Sequence, residues 1–574
     1  MTSEAIQQKH SSGVNTWLDK PIFKVWPSFS IEKLILILII VLAIVSRLYD
    51  VGARVMAHDE VNHVVPSYEL YQGRGYRYDP VTHGPFQFHM IAFSYFIFGD
   101  SDFSSRIPAA MFGIAVVLFA LFAWRKYLGR IGSLLAGLFV LISPYMLFYS
   151  RYTRNEIFIV FWGSVMLWLF LRYLECGEKK YLLFLTVITA LHYTDKATSY
   201  IFTAEALIFL ALLFIVQMLK LKWKGEHFKI MFLILALIVI ISGTIGFVFS
   251  IKQSDTVQDT ALADVTQGLS AGFLQAKTLM LIGFIVAILA LIAALVALVI
   301  GAGFPQIRKT RSFDLLILQI SLVLPLLSAA IINVIGFDPL DYTQSGLLRS
   351  ALVIVPMSLL SILIGLLWNK KVWIKCAIIF WSIFTIFYTT FLTQGDSFFV
   401  GLMGALGYWM SQQAVQRGTQ PLYYYALVQI PIYEFLPALG TILAFFIGIT
   451  KNLFVSKSNE PFSPSENNEE LILEVQEPQS ELPFPENLEK DSTGLEEELE
   501  SQEDSLTTSK RIHLFSDPPE NSGESQPVPT LILLLFWSLI SLVAFSLAGE
   551  RMPWLTTHIA MPLILTASFG IGYL

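Results

Sequence analysis

The chain has 574 residues, of which 55% are hydrophobic and 14% are charged, and its mean hydropathy is +0.62. Because a soluble domain carries about a quarter charged residues, this composition excludes an ordinary soluble protein and indicates lipid as the main solvent. The formal net charge of −6 comes from one stretch, since residues 459–528 hold 19 acidic side chains against three basic ones.

The N-terminal segment, residues 1–30, is polar and leads into the apolar run Ile31–Leu48. This run is close to the roughly 20 residues that a membrane-spanning helix needs. No cleavage site of small residues follows it, so we expect a retained anchor and not a signal peptide.

Hydropathy predicts about fourteen transmembrane helices and hence an all-α, polytopic bundle. The predicted spans are residues 31–50, 104–123, 128–149, 155–174, 180–192, 198–219, 229–250, 278–302, 313–335, 347–368, 372–392, 422–450, 529–548 and 553–574. The predicted organisation is a tail (1–30), a transmembrane module (31–452), an acidic loop (453–528) and a C-terminal transmembrane pair (529–574). The acidic loop has the polar, Pro- and Ser-rich composition of a disordered segment.

Lysine and arginine concentrate in alternate loops, which predicts the orientation in the membrane. With the N-terminus in the cytoplasm, each short loop on that side is basic; these loops lie at residues 125–130, 172–180, 220–229, 308–311, 370–375 and 451–457. The acidic loop falls on the same side. We therefore expect a multi-pass protein of the cell (plasma) membrane.

The opposite, extracytoplasmic side collects polar loops from distant parts of the chain. They are the first loop with residues 58–60, and the segments 151–156, 192–196, 337–342, 393–425 and 549–554. Their convergence on one face predicts a functional site there.

The adjacent acids Asp59 and Glu60 lie shortly after the first span. A carboxylate near a low-dielectric boundary suits a general base. The alternative is an ordinary solvated acid of a loop.

The basic residues on the same predicted side include Arg151, Arg154, Lys196 and Arg551, against the usual bias of loops. A phosphate ligand would account for them, because guanidinium groups bind phosphate oxygens in pairs. The alternatives are contact with lipid headgroups or pairing with Glu156 and Glu550.

The first loop also contains His58, His63 and His83, followed by an aromatic, amphipathic stretch at Phe86–Phe98 that suits a helix in the membrane interface. A divalent metal held by Asp59, Glu156 and His83 is conceivable, but the spacing matches no tight ligand pattern. The later segment 393–425 carries aromatic and amide side chains that suit either sugar binding or an interfacial aromatic belt.

These residues together resemble the C-type glycosyltransferase superfamily, which includes protein mannosyltransferases, aminoarabinose transferases and oligosaccharyltransferases. The resemblance rests on Asp59-Glu60, His83-Gly84-Pro85, Arg151, Arg154-Asn155-Glu156 and Lys196. Within that group the chain looks most similar to a family described as flippase-activity-associated. That similarity rests on Tyr408-Trp409, Gln412-Gln413, Gln416-Arg417-Gly418, Tyr424-Tyr425, Gly549-Glu550-Arg551-Met552-Pro553-Trp554 and His558.

The resemblance implies a role for each group. Asp59 would be the base, Glu60 and Glu156 would support it or help to hold a metal, and the four cations would neutralise a polyprenyl phosphate. The residues expected to contact sugar or acceptor are His58, His83, Tyr408, Trp409, Gln413, Arg417, Tyr424, Trp554 and His558. The chain departs from the family pattern at Ala197, where an acid is expected, and at Arg551, where a lysine is expected.

The function predicted from this resemblance is transfer of a sugar, with inversion, from a polyprenyl-phosphate donor to a lipid, glycan or protein acceptor. No cofactor is required, a divalent metal is possible, and no nucleic acid is expected as a partner. The alternative is a lipid-linked-sugar flippase or a non-catalytic protein that assists one. Transporters place ionisable residues in mid-span, whereas Glu205 is the main such residue here, which favours the enzyme.

Overall fold

The computed structural model describes residues 16–22, 29–262, 271–413, 420–454 and 525–574. Within these ranges the chain is helical and forms no β-strand; an isolated bridge joins Pro21 and Ser30. The predicted all-α fold is therefore confirmed. Residues 1–15 and nearly all of the predicted acidic loop lie outside the described residues, so their predicted character stays a prediction.

The α-helices of the first half are numbered in chain order. They are α1 Ile31–Leu48, α2 His58–Tyr71, α3 Phe86–Phe98, α4 Asp102–Phe122, α5 Arg125–Ile142, α6 Pro144–Tyr149, α7 Glu156–Cys176, α8 Lys179–Tyr193, α9 Ser199–Leu219 and α10 Glu226–Leu262. Those of the second half are α11 Ala271–Ala302, α12 Phe304–Ile307, α13 Arg311–Val323, α14 Ser328–Ile335, α15 Gln344–Tyr388, α16 Ser397–Gln413, α17 Ile430–Tyr433, α18 Phe435–Thr450, α19 Thr530–Leu547 and α20 Thr556–Tyr573.

Local sequence signals account for the ends of several helices. The Ser101 hydroxyl accepts a hydrogen bond from the Ser104 amide (3.1 Å) and caps α4, because the first amides of a helix lack partners of their own. Helix α7 ends where Gly177 takes a left-handed conformation, with φ of 69°. The predicted stretch Phe86–Phe98 forms α3, with Phe88 buried and Phe96 exposed.

Nine helices in the described ranges are long and apolar enough to cross a membrane, or ten if the bent pair Tyr424–Tyr433 and Phe435–Thr450 is one span. The number fourteen is therefore not confirmed. Helices α1 and α5 each carry three charged residues, and α8 has only 15 residues. The predicted spans 347–368 and 372–392 form the single helix α15, which is broken at Asn369. Several apolar spans nonetheless indicate a multi-pass membrane protein.

Charged side chains gather at two opposite ends of α7. Its first residue, Glu156, lies beside the polar loops described below, and Glu175 in its last turn accepts hydrogen bonds from Lys126 (2.7 Å) and Arg172 (2.7 Å). Arg311 donates to the Glu175 carbonyl oxygen (2.5 Å). The two ends are about 28 Å apart at 1.5 Å per residue. Three of the predicted basic loops, which contain Lys126, Arg172 and Arg311, thus meet at the end of α7 opposite to the predicted site.

A buried carboxylate joins the first loop to the bundle. Glu60 is fully buried, and its oxygens accept hydrogen bonds from Arg106 Nε (2.8 Å) on α4 and from the amides of Ala57 (3.0 Å) and Thr153 (3.0 Å). Although burial raises the pKa of Glu60, these hydrogen bonds outweigh it and hold the pKa below its usual value. Arg106 also donates to the Val51 carbonyl oxygen (2.9 Å), so one ion pair fixes three segments.

We expect Arg106→Ala to lower the free energy of unfolding by about 3–5 kcal/mol, because it leaves the Glu60 carboxylate buried without its main partner. The matched control is Arg74→Ala, which removes the exposed Arg74–Glu69 pair (2.9 Å) and should cost less than about 1 kcal/mol. Unfolding followed in detergent micelles measures both. Equal, small effects would contradict the anchoring role.

Candidate active site

A cleft with a volume of about 420 Å³ lies where the polar loops meet. Five of the six predicted loops contribute to it, whereas segment 337–342 contributes Tyr342 to a second cavity of about 720 Å³. The lining side chains discussed below are Asp59, His63, Tyr78, His83, Arg154, Lys196, Tyr388, Tyr408, Trp409, Glu550, Met552 and Trp554. Helices and turns that are far apart in sequence therefore build one concave surface.

Four side chains of alternating charge run along the inner side of this cleft. Arg154 donates from Nη1 to Asp59 Oδ2 (2.5 Å) and from Nε to Glu156 Oε1 (3.1 Å). Lys196 Nζ donates to the same Glu156 oxygen (2.5 Å). Arg154, Lys196 and Glu156 are buried, but the Asp59 side chain is 39% exposed. Arg154 and Lys196 thus share the buried carboxylate of Glu156, whereas the carboxylate of Asp59 faces the cleft.

The surroundings of Arg154 keep it charged. Burial lowers the pKa of Arg154, but the carboxylates of Glu156 and Asp59 raise it, and the net shift is upward. The guanidinium carbon lies 3.8 Å from the ring centroid of Trp554, in a cation–π contact. This contact supports the guanidinium from the side while its edge remains directed at the carboxylates.

Close backbone contacts join the loops that carry these charges. The amides of Gly84 and Phe86 donate to the carbonyl oxygens of Asp195 (2.8 Å) and Thr194 (2.9 Å). A Cβ atom on Gly84 would lie 2.3 Å from the Thr194 oxygen, so only glycine permits this approach. The Asn155 side-chain amide donates to the Asp195 carboxylate (2.6 Å).

Asp195 does not supply the acid that the family pattern expects at position 197. Its side chain is completely buried and does not line the cleft. Burial raises the pKa of Asp195 well above its usual value. Within the cleft, the acids are Asp59 and Glu550.

The structure brings seven of the sixteen predicted site residues together in the lining of the cleft. Those that line the cleft are Asp59, His83, Arg154, Lys196, Tyr408, Trp409 and Trp554. Glu156 lies directly behind Arg154 and Lys196, and its Oε2 has no hydrogen-bond partner among the described residues. His558 is fully buried on α20 and stacks on Phe545, with ring centroids 5.0 Å apart.

Other predicted residues lie elsewhere. Arg151 donates to the carbonyl oxygens of Ser46 (2.7 Å) and Tyr49 (2.8 Å), so its guanidinium holds the end of α1. Arg551 donates in the same way to the carbonyl oxygens of Ser546 (2.8 Å) and Gln420 (2.7 Å).

Three further predicted site residues, Glu60, His58 and Tyr424, are also outside the lining of the cleft. Glu60 is the anchor described above, His58 is exposed at the start of α2, and Tyr424 packs against Tyr425. Arg417 lies outside the described residues, and the same is true of the side chain of Gln413.

The sequence analysis noted His63 in the first loop but did not include it, Tyr78 or Tyr388 among the predicted site residues. His63 carried a usable signal, because it follows Asp59 by four positions on α2 and therefore shares its face. Tyr78 and Tyr388 had no comparable signal, since they come from a loop and from the end of a long apolar helix. The described residues include no group of three or more His, Cys, Asp or Glu side chains placed to hold a metal ion.

Comparison with known families supports one resemblance. Residues 82–243 match the family described as dolichyl-phosphate-mannose-protein mannosyltransferase, which is well under half of the chain. The matched segment contains His83, Arg154, Glu156 and Lys196 and begins after Asp59. The resemblance to C-type glycosyltransferases is confirmed over this segment. No curated protein matches the chain.

Solved structures of low similarity were also found. The oligosaccharyltransferase of Archaeoglobus fulgidus in the apo form has 11% identity and a TM-score of 0.41, covering 94% of this chain and 50% of that one. ArnT from Cupriavidus metallidurans bound to undecaprenyl phosphate has 11% identity and a TM-score of 0.27, with coverages of 94% and 76%. The chain thus spans about half the length of the oligosaccharyltransferase.

We expect Glu156→Gln to lower the free energy of unfolding by about 3–5 kcal/mol, because Arg154 and Lys196 lose the anion they share. A polyprenyl phosphate should then stabilise the variant more than the wild type, since the ligand replaces the missing charge. Thermal unfolding in detergent, with and without ligand, measures the difference.

The control for this experiment is Glu205→Gln, which changes a buried carboxylate whose recorded partner is the neutral Ser541 hydroxyl (2.9 Å). It should respond to the ligand as the wild type does. If the Glu156 and Glu205 variants gain the same stability from the ligand, Glu156 does not hold cations for an anion.

Proposed function

We propose that the chain is a glycosyltransferase that moves a sugar, with inversion, from a polyprenyl-phosphate-linked donor to an acceptor hydroxyl. The observation that carries the proposal is a single cleft lined by two buried cations, Arg154 and Lys196, and by the partly exposed carboxylate of Asp59, which pairs with Arg154. The family match of residues 82–243 supports the same class of reaction.

The cations suit the leaving group. In the proposed reaction the bond between the anomeric carbon and the phosphate oxygen breaks, and its electron pair stays on the phosphate. Positive side chains held in place in a site of low dielectric stabilise such developing charge; removing one contact of this type typically costs about 100-fold or more in rate. Arg154 is also pre-oriented by Trp554, which limits the reorganisation that binding needs.

Asp59 suits the attacking group. The acceptor oxygen forms the new bond to the anomeric carbon on the face opposite the phosphate, and its proton passes to a carboxylate oxygen of Asp59. General-base help of this kind typically contributes about 100- to 10,000-fold. Attack opposite to the leaving group inverts the anomeric centre, so no covalent sugar–enzyme intermediate is needed.

The ion pair between Asp59 and Arg154 links the two halves of this mechanism. In the free protein Arg154 donates to Asp59 Oδ2. A donor phosphate would compete with that oxygen for the guanidinium. Asp59 would then be released to accept a proton only when a donor is bound.

The proposed location is the extracytoplasmic face of the cell membrane, with the N-terminus in the cytoplasm. The cleft and the basic network around Glu175 lie at opposite ends of α7, and basic loops favour the cytoplasmic side. A lipid-linked donor fits this location, because a lipid can be flipped across a membrane. The proposed partners are the polyprenyl-phosphate sugar and a lipid, glycan or protein acceptor; no cofactor is required.

A lipid-linked-sugar flippase, or a protein that assists one, is the second candidate. The chain turns by 107° between Tyr424–Tyr433 and Phe435–Thr450, and the buried Glu434 at this break accepts a hydrogen bond from Ser143 (2.5 Å). Broken helices with buried polar groups are common in transporters. A flippase, or a protein that assists one, should bind lipid phosphate without transferring a sugar.

We expect Asp59→Asn to abolish most transfer without unfolding the protein, because the amide cannot accept the acceptor's proton. The assay follows label from a panel of polyprenyl-phosphate sugars into membrane extracts, using purified wild type and variant. The matched control is Asp50→Asn, an exposed acid of the same loop outside the cleft, which should keep wild-type transfer. Wild-type transfer by the Asp59 variant would eliminate this residue as the base.

We expect Arg154→Gln to weaken binding of a polyprenyl phosphate by about 10-fold or more, since a charge-assisted hydrogen bond contributes roughly 1.5–3 kcal/mol. Arg349→Gln is the control, because Arg349 is half-exposed and lies over Phe337, outside the cleft. Binding to protein in detergent, followed by tryptophan fluorescence, measures both. Equal affinities for the two variants would count against a phosphate site at Arg154.

A further inference from the structure

Two histidines line the cleft without a hydrogen-bond partner. His63 lies on α2 one turn after Asp59, and His83 immediately precedes Gly84. Their ring centroids are 6.0 Å apart and their planes differ by 23°. Neither imidazole hydrogen-bonds to another residue within the described ranges, and His63 is 3% exposed with a fully buried Nδ1. Because buried polar atoms almost always have partners, Nδ1 of His63 calls for a ligand, and the ring of His83 lies beside it.

The backbone at His83 is strained. Its φ of 72° and ψ of −165° fall in a region that is nearly restricted to glycine. The hydrogen bonds from the Gly84 and Phe86 amides to the neighbouring loop hold the turn in this conformation. Glycine would suit the backbone better than histidine, so the fold gains nothing from a side chain here. The imidazole itself is therefore the useful feature of the position.

The two rings are uncharged at neutral pH. Burial lowers the pKa of His63 to about 3, and burial together with Lys196 and Arg154 lowers the pKa of His83 well below its usual value. A neutral imidazole offers one N–H donor and one acceptor nitrogen, and a hydroxyl group can satisfy both. A protonated amino group offers donors and no acceptor, so it cannot satisfy the N–H of a neutral imidazole.

We propose that His63 and His83 form a subsite that binds hydroxyl groups of a neutral sugar and so selects the sugar of the donor. This inference rests on the proposed function for the lipid phosphate that carries the sugar. The cleft volume of about 420 Å³ lies within the usual range of small-molecule sites, roughly 300–1,000 Å³. Phe88 packs on His63 at 5.5 Å and stacks on Tyr76 at 4.7 Å, which fixes the ring of His63 beside the cleft.

The test compares binding of three ligands to the purified full chain in detergent. They are a polyprenyl phosphate, the same lipid carrying a neutral hexose, and the same lipid carrying an amino sugar. We expect wild type to bind the hexose form about 10-fold more tightly than the bare phosphate, as one or two hydrogen bonds allow, and to gain less from the amino sugar. Equal affinity of wild type for the hexose form and the bare phosphate would overturn the proposal.

Variants separate the imidazoles from a structural role. His83→Gly and His63→Phe should both remove the preference for the hexose form while the affinity for bare phosphate stays within about 2-fold. His83→Gly should leave the thermal midpoint unchanged or higher, because it relieves the strained backbone. His83→Asn should keep most of the preference, since asparagine tolerates positive φ and carries a donor and an acceptor.

The control is His89→Phe, which changes a buried histidine of α3 that is outside the cleft and bonds through Nδ1 to the Pro85 oxygen (2.7 Å). It should keep the wild-type preference. The preference should also stay constant from pH 5.5 to 8, because both rings remain neutral. The proposal is overturned if both the His63→Phe and His83→Gly variants keep the preference for the hexose form. It is also overturned if the wild type loses this preference at pH 5.5. An intact preference without any sugar transfer supports the subsite and refutes the glycosyltransferase.

Discussion

The buried carboxylate of Glu156 is the interaction on which the charged site depends. Two cations cannot remain in a space of low dielectric without an anion, because the effective desolvation penalty is several kcal/mol per ion. Glu156 meets this need with one oxygen, which accepts from both Arg154 and Lys196. Its position at the first residue of α7 is favourable, since the positive end of the helix dipole stabilises an anion there.

Charge balance then connects donor binding with proton transfer. Asp59, Arg154, Glu156 and Lys196 together carry two negative and two positive charges, so these four side chains have no net charge. In the proposed reaction a lipid phosphate would add negative charge and compete for Arg154. Asp59 is the most exposed of the four, and additional negative charge beside it favours transfer of a proton to its carboxylate. The same arrangement that binds the donor would therefore prepare the base.

The sequence predicted the positions of the helices better than the number of membrane spans. Hydropathy located the helices, and the amphipathic stretch Phe86–Phe98 forms α3 with the same limits. The predicted number of spans was wrong where hydropathy cannot tell one long helix from two shorter ones. Helix α15 runs through the loop predicted at 370–371, with a break at Asn369 and no separate turn. Five of the six predicted polar loops do converge, because short connections leave the ends of neighbouring helices close together.

The roles of individual residues could not be read from the sequence, since residue type does not fix direction. Arg151 and Arg154 belong to the same loop, yet one guanidinium binds carbonyl oxygens of α1's end and the other reaches the cleft. Asp59 and Glu60 are consecutive on a helix, where neighbours point about 100° apart. One therefore faces the open space while the other turns into the bundle and meets Arg106. The acidic pair predicted as a single catalytic feature thus divides into a proposed base and the anchor that fixes its helix.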